Sequence, residues 1–198
     1  MKKVSILVLL LSFVFTGAVY ADVADLTGLM TVDNAFELFI SDDDTVEGYQ
    51  LGGYFDDWMT PVNVSAVLDL GTTYLHVKAR DFGGIAGFLG NFSLNENTSF
   101  VFQNGTKYLT TNVVDWKVSR TGFGLAYETP TLSTGLGSTG LNDGLLGSSW
   151  GIISGIDTQA GWIWTNNGMD LGTTRYFSTR ITTTPEPVSA TLFLLGVS

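Results

Sequence analysis

The chain of 198 residues has no cysteine and a single histidine, His76. Without thiols there is no disulfide framework, no thiolate zinc site, no iron–sulfur cluster and no cysteine nucleophile. One imidazole cannot supply the histidine clusters that transition metals favour. Basic residues are also scarce, with 9 Lys and Arg against 19 Asp and Glu. So acidic a surface repels phosphate backbones, which argues against nucleic acid as a partner. No long segment carries apolar side chains at the 3.6-residue spacing of an amphipathic helix.

What is present begins at the N-terminus. "MKKVSILVLLLSFVFTGAVYA" has two lysines, an apolar stretch from Val4 to Phe15, and the small residues Val19 and Ala21 before Asp22. This is the pattern of a secretory signal peptide over residues 1–21. Its apolar stretch is shorter than the roughly 20 residues a spanning helix needs. Cleavage would remove Lys2 and Lys3, leaving 177 residues with 7 basic against 19 acidic side chains, a net charge of −12. That length suits one domain, residues 22–182, able to bury a core without disulfides.

The domain reads as strands. "FELFI" sets Phe36, Leu38 and Ile40 on one face. "TTYLHVKARDF" alternates, with Leu75, Val77 and Ala79 inward and Tyr74, His76, Lys78 and Arg80 outward. A period of two denotes a half-buried strand with one wet face, which makes His76 an exposed strand residue. "FVFQNGTKYLT" holds Asn104-Gly105 between two strand-like runs, a signal for a two-residue hairpin. "AGWIWTNN" and "TRYFSTRITT" supply late strands, while Thr131–Gly151, rich in Gly, Ser and Thr, reads as a long surface loop. The expected fold is all-β, a jelly-roll-like antiparallel β-sandwich.

Two motif matches fail on context. Gly135, Gly137 and Gly140 have dinucleotide-binding spacing, but no helix pattern follows to meet a pyrophosphate. Gly147, Ser149 and Gly151 match a nucleophile elbow, which needs a histidine later in the chain; His76 comes earlier. Calcium requires only oxygen donors, and Asp42, Asp43 and Asp44 are the weak candidates for it, with Asp56 and Asp57 nearby. No metal site is firm, and neither stretch has EF-hand spacing. Glu37, Glu47, Glu96 and Glu128 are available for a glycosidase pair, though nothing marks two of them as partners. The five tryptophans carry more. Asp57-Trp58 and Asp115-Trp116 each set a carboxylate beside a ring that could stack on a sugar. For Trp58 and Trp116 a glycan platform and a core position are both open; Trp162 and Trp164 read as core.

The C-terminus, residues 183–198, has Pro185-Glu186-Pro187 followed by an apolar run. It resembles the PEP-CTERM sorting signal of exported bacterial proteins. That resemblance implies handling by an exosortase at the membrane and a place among envelope or extracellular-matrix proteins. The family's arginine cluster is missing, and the 11 residues after Pro187 would span only about 16 Å as a helix, which fits either a truncated sequence or a degenerate signal. "TVDNAFELFISDD" and "YLHVKARDFGGIAGFLGNFSL" resemble sandwich modules that accompany carbohydrate-active and surface proteins. The resulting expectation is an exported, non-enzymatic protein that contacts exopolysaccharide. The alternatives are a glycan-active hydrolase and a self-associating structural matrix protein.

Overall fold

The computed structural model describes residues 23–55, 57–145 and 150–184. The signal-peptide segment, Asp56, Gly147, Ser149 and the Pro185-Glu186-Pro187 motif lie outside the described residues.

Along the chain come β1 (Ala24–Asp33), β2 (Ala35–Ser41), β3 (Tyr49–Phe55), β4 (Val62–Leu68), β5 (Tyr74–Arg80) and β6 (Gly87–Leu94). They are followed by β7 (Phe100–Phe102), β8 (Tyr108–Thr110), β9 (Lys117–Ser119), β10 (Thr131–Leu132), β11 (Ile163–Trp164) and β12 (Thr174–Thr183). These strands form two antiparallel sheets packed as a sandwich. One has the order β10-β11-β6-β1-β4, with β8 also on β6; the other runs β3-β2-β5-β12-β7, with β9 also on β12. Most connections cross from one sheet to the other, the wrapping habit of a jelly roll. At the first crossing Asn34 marks the corner: its amide donates to the Arg80 carbonyl (2.9 Å) and its side chain accepts from the Phe82 amide (2.8 Å).

The period-two patterns become the core. Phe36 and Leu38 of β2 and Leu75, Val77 and Ala79 of β5 face Leu26, Met30, Phe88 and Phe92 of the opposing sheet, all buried. Burial of each large apolar side chain contributes about 1.5–3 kcal/mol relative to exposure. Trp164 closes the core against Phe177, with ring centroids 5.5 Å apart.

Three expectations need correction. The Asn104-Gly105 turn exists, with Gly105 at φ +76° and its amide donating to the Phe102 carbonyl (2.8 Å). The flanking strands do not form a hairpin, however: β7 pairs with β12 and β8 with β6, in opposite sheets. Secondly, Thr131–Gly151 is no bare loop. It contributes β10 and then covers the outer face of the first sheet, where Trp150 stacks on Trp162 at 4.3 Å above Gly87. The buried Asn142 ties this cover together, donating to the Ile153 and Ile156 carbonyls and accepting from the Ile153 amide. In the same stretch Gly135–Gly137 is a 3₁₀ turn three residues long, not the start of an α-helix. Lastly, the sandwich continues past residue 182: β12 runs to Thr183, and the Thr184 amide donates to Ser99.

Candidate functional site

The outer face of the second sheet carries a row of side chains set by register. Phe39 of β2 lies opposite His76 of β5, His76 opposite Ser178 of β12, and Ser178 opposite Lys117 of β9. Period two aims all four away from the core, as the alternation of β5 requires. Yet His76 is fully buried, contrary to the expectation of an exposed residue. Phe123, from the segment after β9, stacks flat on the imidazole at 4.2 Å and meets Phe39 edge-on at 6.2 Å.

The second cover over this row is the β2–β3 loop, and Asp44 is its anchor. Its Oδ1 accepts from the Tyr127 hydroxyl (2.8 Å) and the Ser178 hydroxyl (3.1 Å), and its Oδ2 from the Lys117 ammonium (2.6 Å). His76 Nε2 lies 3.6 Å away. The Lys117 ammonium also sits over the Tyr127 ring, 4.2 Å from its centroid. Burial pushes the Asp44 carboxyl up, but hydrogen bonds from Lys117 and Tyr127 and the Lys117 charge outweigh it, leaving it below the usual carboxylate range. Burial likewise pushes the Tyr127 phenol up, to about 12, and holds His76 down as neutral imidazole against the pull of Asp44. The arrangement is not a catalytic triad: Ser178 bonds to Asp44, not to His76, and both Ser178 and His76 are sealed from solvent.

The loop that Asp44 anchors borders an open cavity of about 590 Å³ at one end of the sandwich. Ser41, Asp42 and Tyr49 line one side of it, and Asp69, Leu70 and Thr72 of the β4–β5 turn line the other. Tyr49 is 73% exposed and Leu70 56%, so an aromatic ring and an apolar side chain stand open beside two carboxylates. The surrounding backbone is pinned. Thr73 donates its amide to the Ser41 carbonyl (2.9 Å) and its hydroxyl to the Asp42 carbonyl (2.8 Å). Asp69 accepts from the Gly71 amide (3.1 Å) and orders its own turn. A second hollow of about 260 Å³ shares Leu70 and Thr72 and adds Thr73, Arg180 and Thr182. An exposed ring that lines a cavity together with two carboxylates, on braced loops, is suited to the apolar face and hydroxyls of a sugar.

No protein-family model matches this chain, and neither a curated protein nor a solved structure does.

The residues that the sequence pointed to are scattered. Trp116 is 2% exposed, meets Phe88 perpendicularly at 5.0 Å, and donates its indole N–H to the Thr110 carbonyl. It is a core residue and not a glycan platform, because its ring packs on Phe88 and Phe92 inside the sandwich. Its neighbour Asp115 accepts from the Asn112 side chain (2.8 Å) and holds a turn. Trp58 is half-buried against the Trp150–Trp162 cluster, on the other sheet's outer face, and Asp57 accepts from the Met59 amide. Trp58 and Asp57 therefore build no shared platform with Trp116 and Asp115.

Of the acidic triplet, Asp44 is spent on protein donors and Asp43 caps the Thr45 amide (2.7 Å), whereas Asp42 lines the cavity. Among the described residues no group of three His, Asp or Glu gathers that could hold a metal ion. Of the glycosidase candidates, Glu37 and Glu47 share Lys78 and Glu128 pairs with Arg120, while Glu96 lies exposed in the turn after β6. Tyr49 and Asp69 escaped the sequence reading. Gly48-Tyr49 just after the acidic triplet was the available signal, but nothing local brings it to the β4–β5 turn.

Proposed function

We propose that this chain is an exported, non-enzymatic envelope or matrix protein that holds exopolysaccharide in the cavity beside Tyr49. The observation carrying the reading is that open cavity, where a 73% exposed tyrosine shares the lining with Asp42 and Asp69. The N-terminal signal-peptide pattern and the Pro185-Glu186-Pro187 tail support export and exosortase sorting from sequence. No helix among the described residues is long and apolar enough to cross a membrane. The net charge of −12 that remains after signal-peptide cleavage disfavours anionic polysaccharides and favours neutral or amino sugars.

A glycan array followed by titration of the best ligand tests this. Wild type binds, and Tyr49→Ala weakens binding by about tenfold or more, the equivalent of about 1.4 kcal/mol. Asp42→Asn weakens it less, and Trp58→Ala leaves it unchanged. Absence of binding across the array, or binding indifferent to Tyr49, overturns the proposal. Release of reducing sugar from any array polysaccharide would replace it with the hydrolase reading.

A further inference from the structure

We propose that β4 is a self-association edge, pairing antiparallel with β4 of a second copy so that the first sheet runs on through both molecules. The pairing does not depend on the glycan reading. Among the described residues, β4 ends its sheet and pairs only with β1. Edge strands carry open N–H and C=O groups, which soluble proteins blunt with lysines, prolines, bulges or brevity. The other edges here are blunted. β10 has two residues, and β7 and β9 have three each. β3 contains Gly52 and Gly53 and slips register against β2 between Leu38 and Phe39. By contrast β4, Val-Asn-Val-Ser-Ala-Val-Leu, is seven residues long with no charge, proline or glycine.

Its sequence suits a copy of itself. A two-fold axis beside Ser65 sets Ser65 against Ser65, Val64 against Ala66, Asn63 against Val67 and Val62 against Leu68. Residues of even number all face the core side, so this register keeps the apolar face continuous, which a one-residue slip would destroy. Val62 and Ala66 pack on the core yet are only partly buried, as is Leu51 of β3 nearby. A second strand would cover that rim.

Electrostatics favour the same occupant. An acidic chain repels its copy unless the contact strip is neutral, and β4 is such a strip. The nearest outward carboxylate in the sheet, Asp25, lies one strand back, opposite Val67. Across the joint the two Asp25 side chains would stand at least three strand spacings apart, about 14 Å. That exceeds the Debye length of about 8 Å at physiological salt.

The absence of cysteine makes the test direct. Ser65, Asn63 and Val67 are exposed, so single cysteines there leave the fold intact, which circular dichroism checks. Paired residues in an antiparallel ladder lie about 4.5–5.5 Å apart at Cα, within disulfide reach. Under mild oxidation of the full chain, Ser65→Cys forms a covalent dimer. Asn63→Cys and Val67→Cys do not dimerise alone but cross-link when mixed. Sedimentation velocity shows concentration-dependent dimerisation that Ser65→Lys weakens at least about tenfold, whereas Asn97→Lys, the same charge on a remote turn, does not. A chain monomeric at every concentration, or a dimer that tolerates Ser65→Lys, overturns the proposal. Self-linking of Asn63→Cys as fast as Ser65→Cys also overturns it.

Discussion

Asp44→Ala tests whether one carboxylate holds the cavity loop in place. The side chain takes three donors, the hydroxyls of Tyr127 (2.8 Å) and Ser178 (3.1 Å) and the Lys117 ammonium (2.6 Å). Ser178 is fully buried and has no route to water once its acceptor is gone. A hydrogen bond to a charged partner contributes about 1.5–3 kcal/mol, so loss of the two hydroxyl bonds should cost about 3 kcal/mol. Lys117 is a third exposed and can turn to solvent, so its ion pair adds only about 0.5 kcal/mol. The expected destabilisation in urea at pH 7 is therefore about 3–4 kcal/mol, with unchanged m-value. Because the folded carboxyl titrates below its unfolded value of about 3.9, its contribution is complete above that pH and fades as pH falls through the folded value. The gap between wild type and variant should accordingly stay constant above about pH 5 and narrow as pH falls below about 4. Amide hydrogens of the β2–β3 loop should also exchange faster in the variant. A destabilisation below about 1 kcal/mol, or a gap independent of pH, would refute the anchoring role.

Two further outcomes follow from buried aromatic groups. Trp116→Ala should cost about 3–5 kcal/mol, the usual penalty for emptying a core aromatic site, and leave the glycan affinity of the remaining folded protein unaltered. A stability near wild type would return Trp116 to the surface. His76, held neutral by burial, should make wild-type stability fall as pH drops below about 6.5, where the unfolded chain takes up a proton that the folded one refuses. One proton sets the ceiling of that slope at about 1.4 kcal/mol per pH unit, and His76→Phe, which keeps the stack on Phe123, should flatten it below about pH 6.5. A slope equal in both proteins would show that other groups carry it.

Much of the sandwich was legible in the chain because alternation is a local property. Phe36 and Leu38, or Leu75, Val77 and Ala79, declare a buried face within a few residues, and Gly105 declares a turn through its permitted positive φ. The candidate site was not legible in this way. Asp44 meets Tyr127 and Ser178 across 83 and 134 residues of chain, and the cavity joins Tyr49 to a turn around Asp69. The Asp-Trp pairs have the composition of sugar platforms, but both lie in connections outside the strands, where no local period says which way a side chain faces. Trp116 ends in the core by packing on Phe88 and Phe92, while Asp115 stays partly exposed in the turn before β9.

By itself, then, the sequence determined the strand periods, the all-β class, and the chemistries ruled out by missing cysteine and scarce histidine. Only the tertiary structure decided which outward faces are covered. Phe123 buries His76, the Trp150 segment buries the far face of the first sheet, and the two runs beside Asn104-Gly105 part into opposite sheets. The physical reason is that a period of two tells a strand which of its faces is apolar. What finally packs on the other face is decided by segments far away in the chain, through contacts that no local pattern encodes.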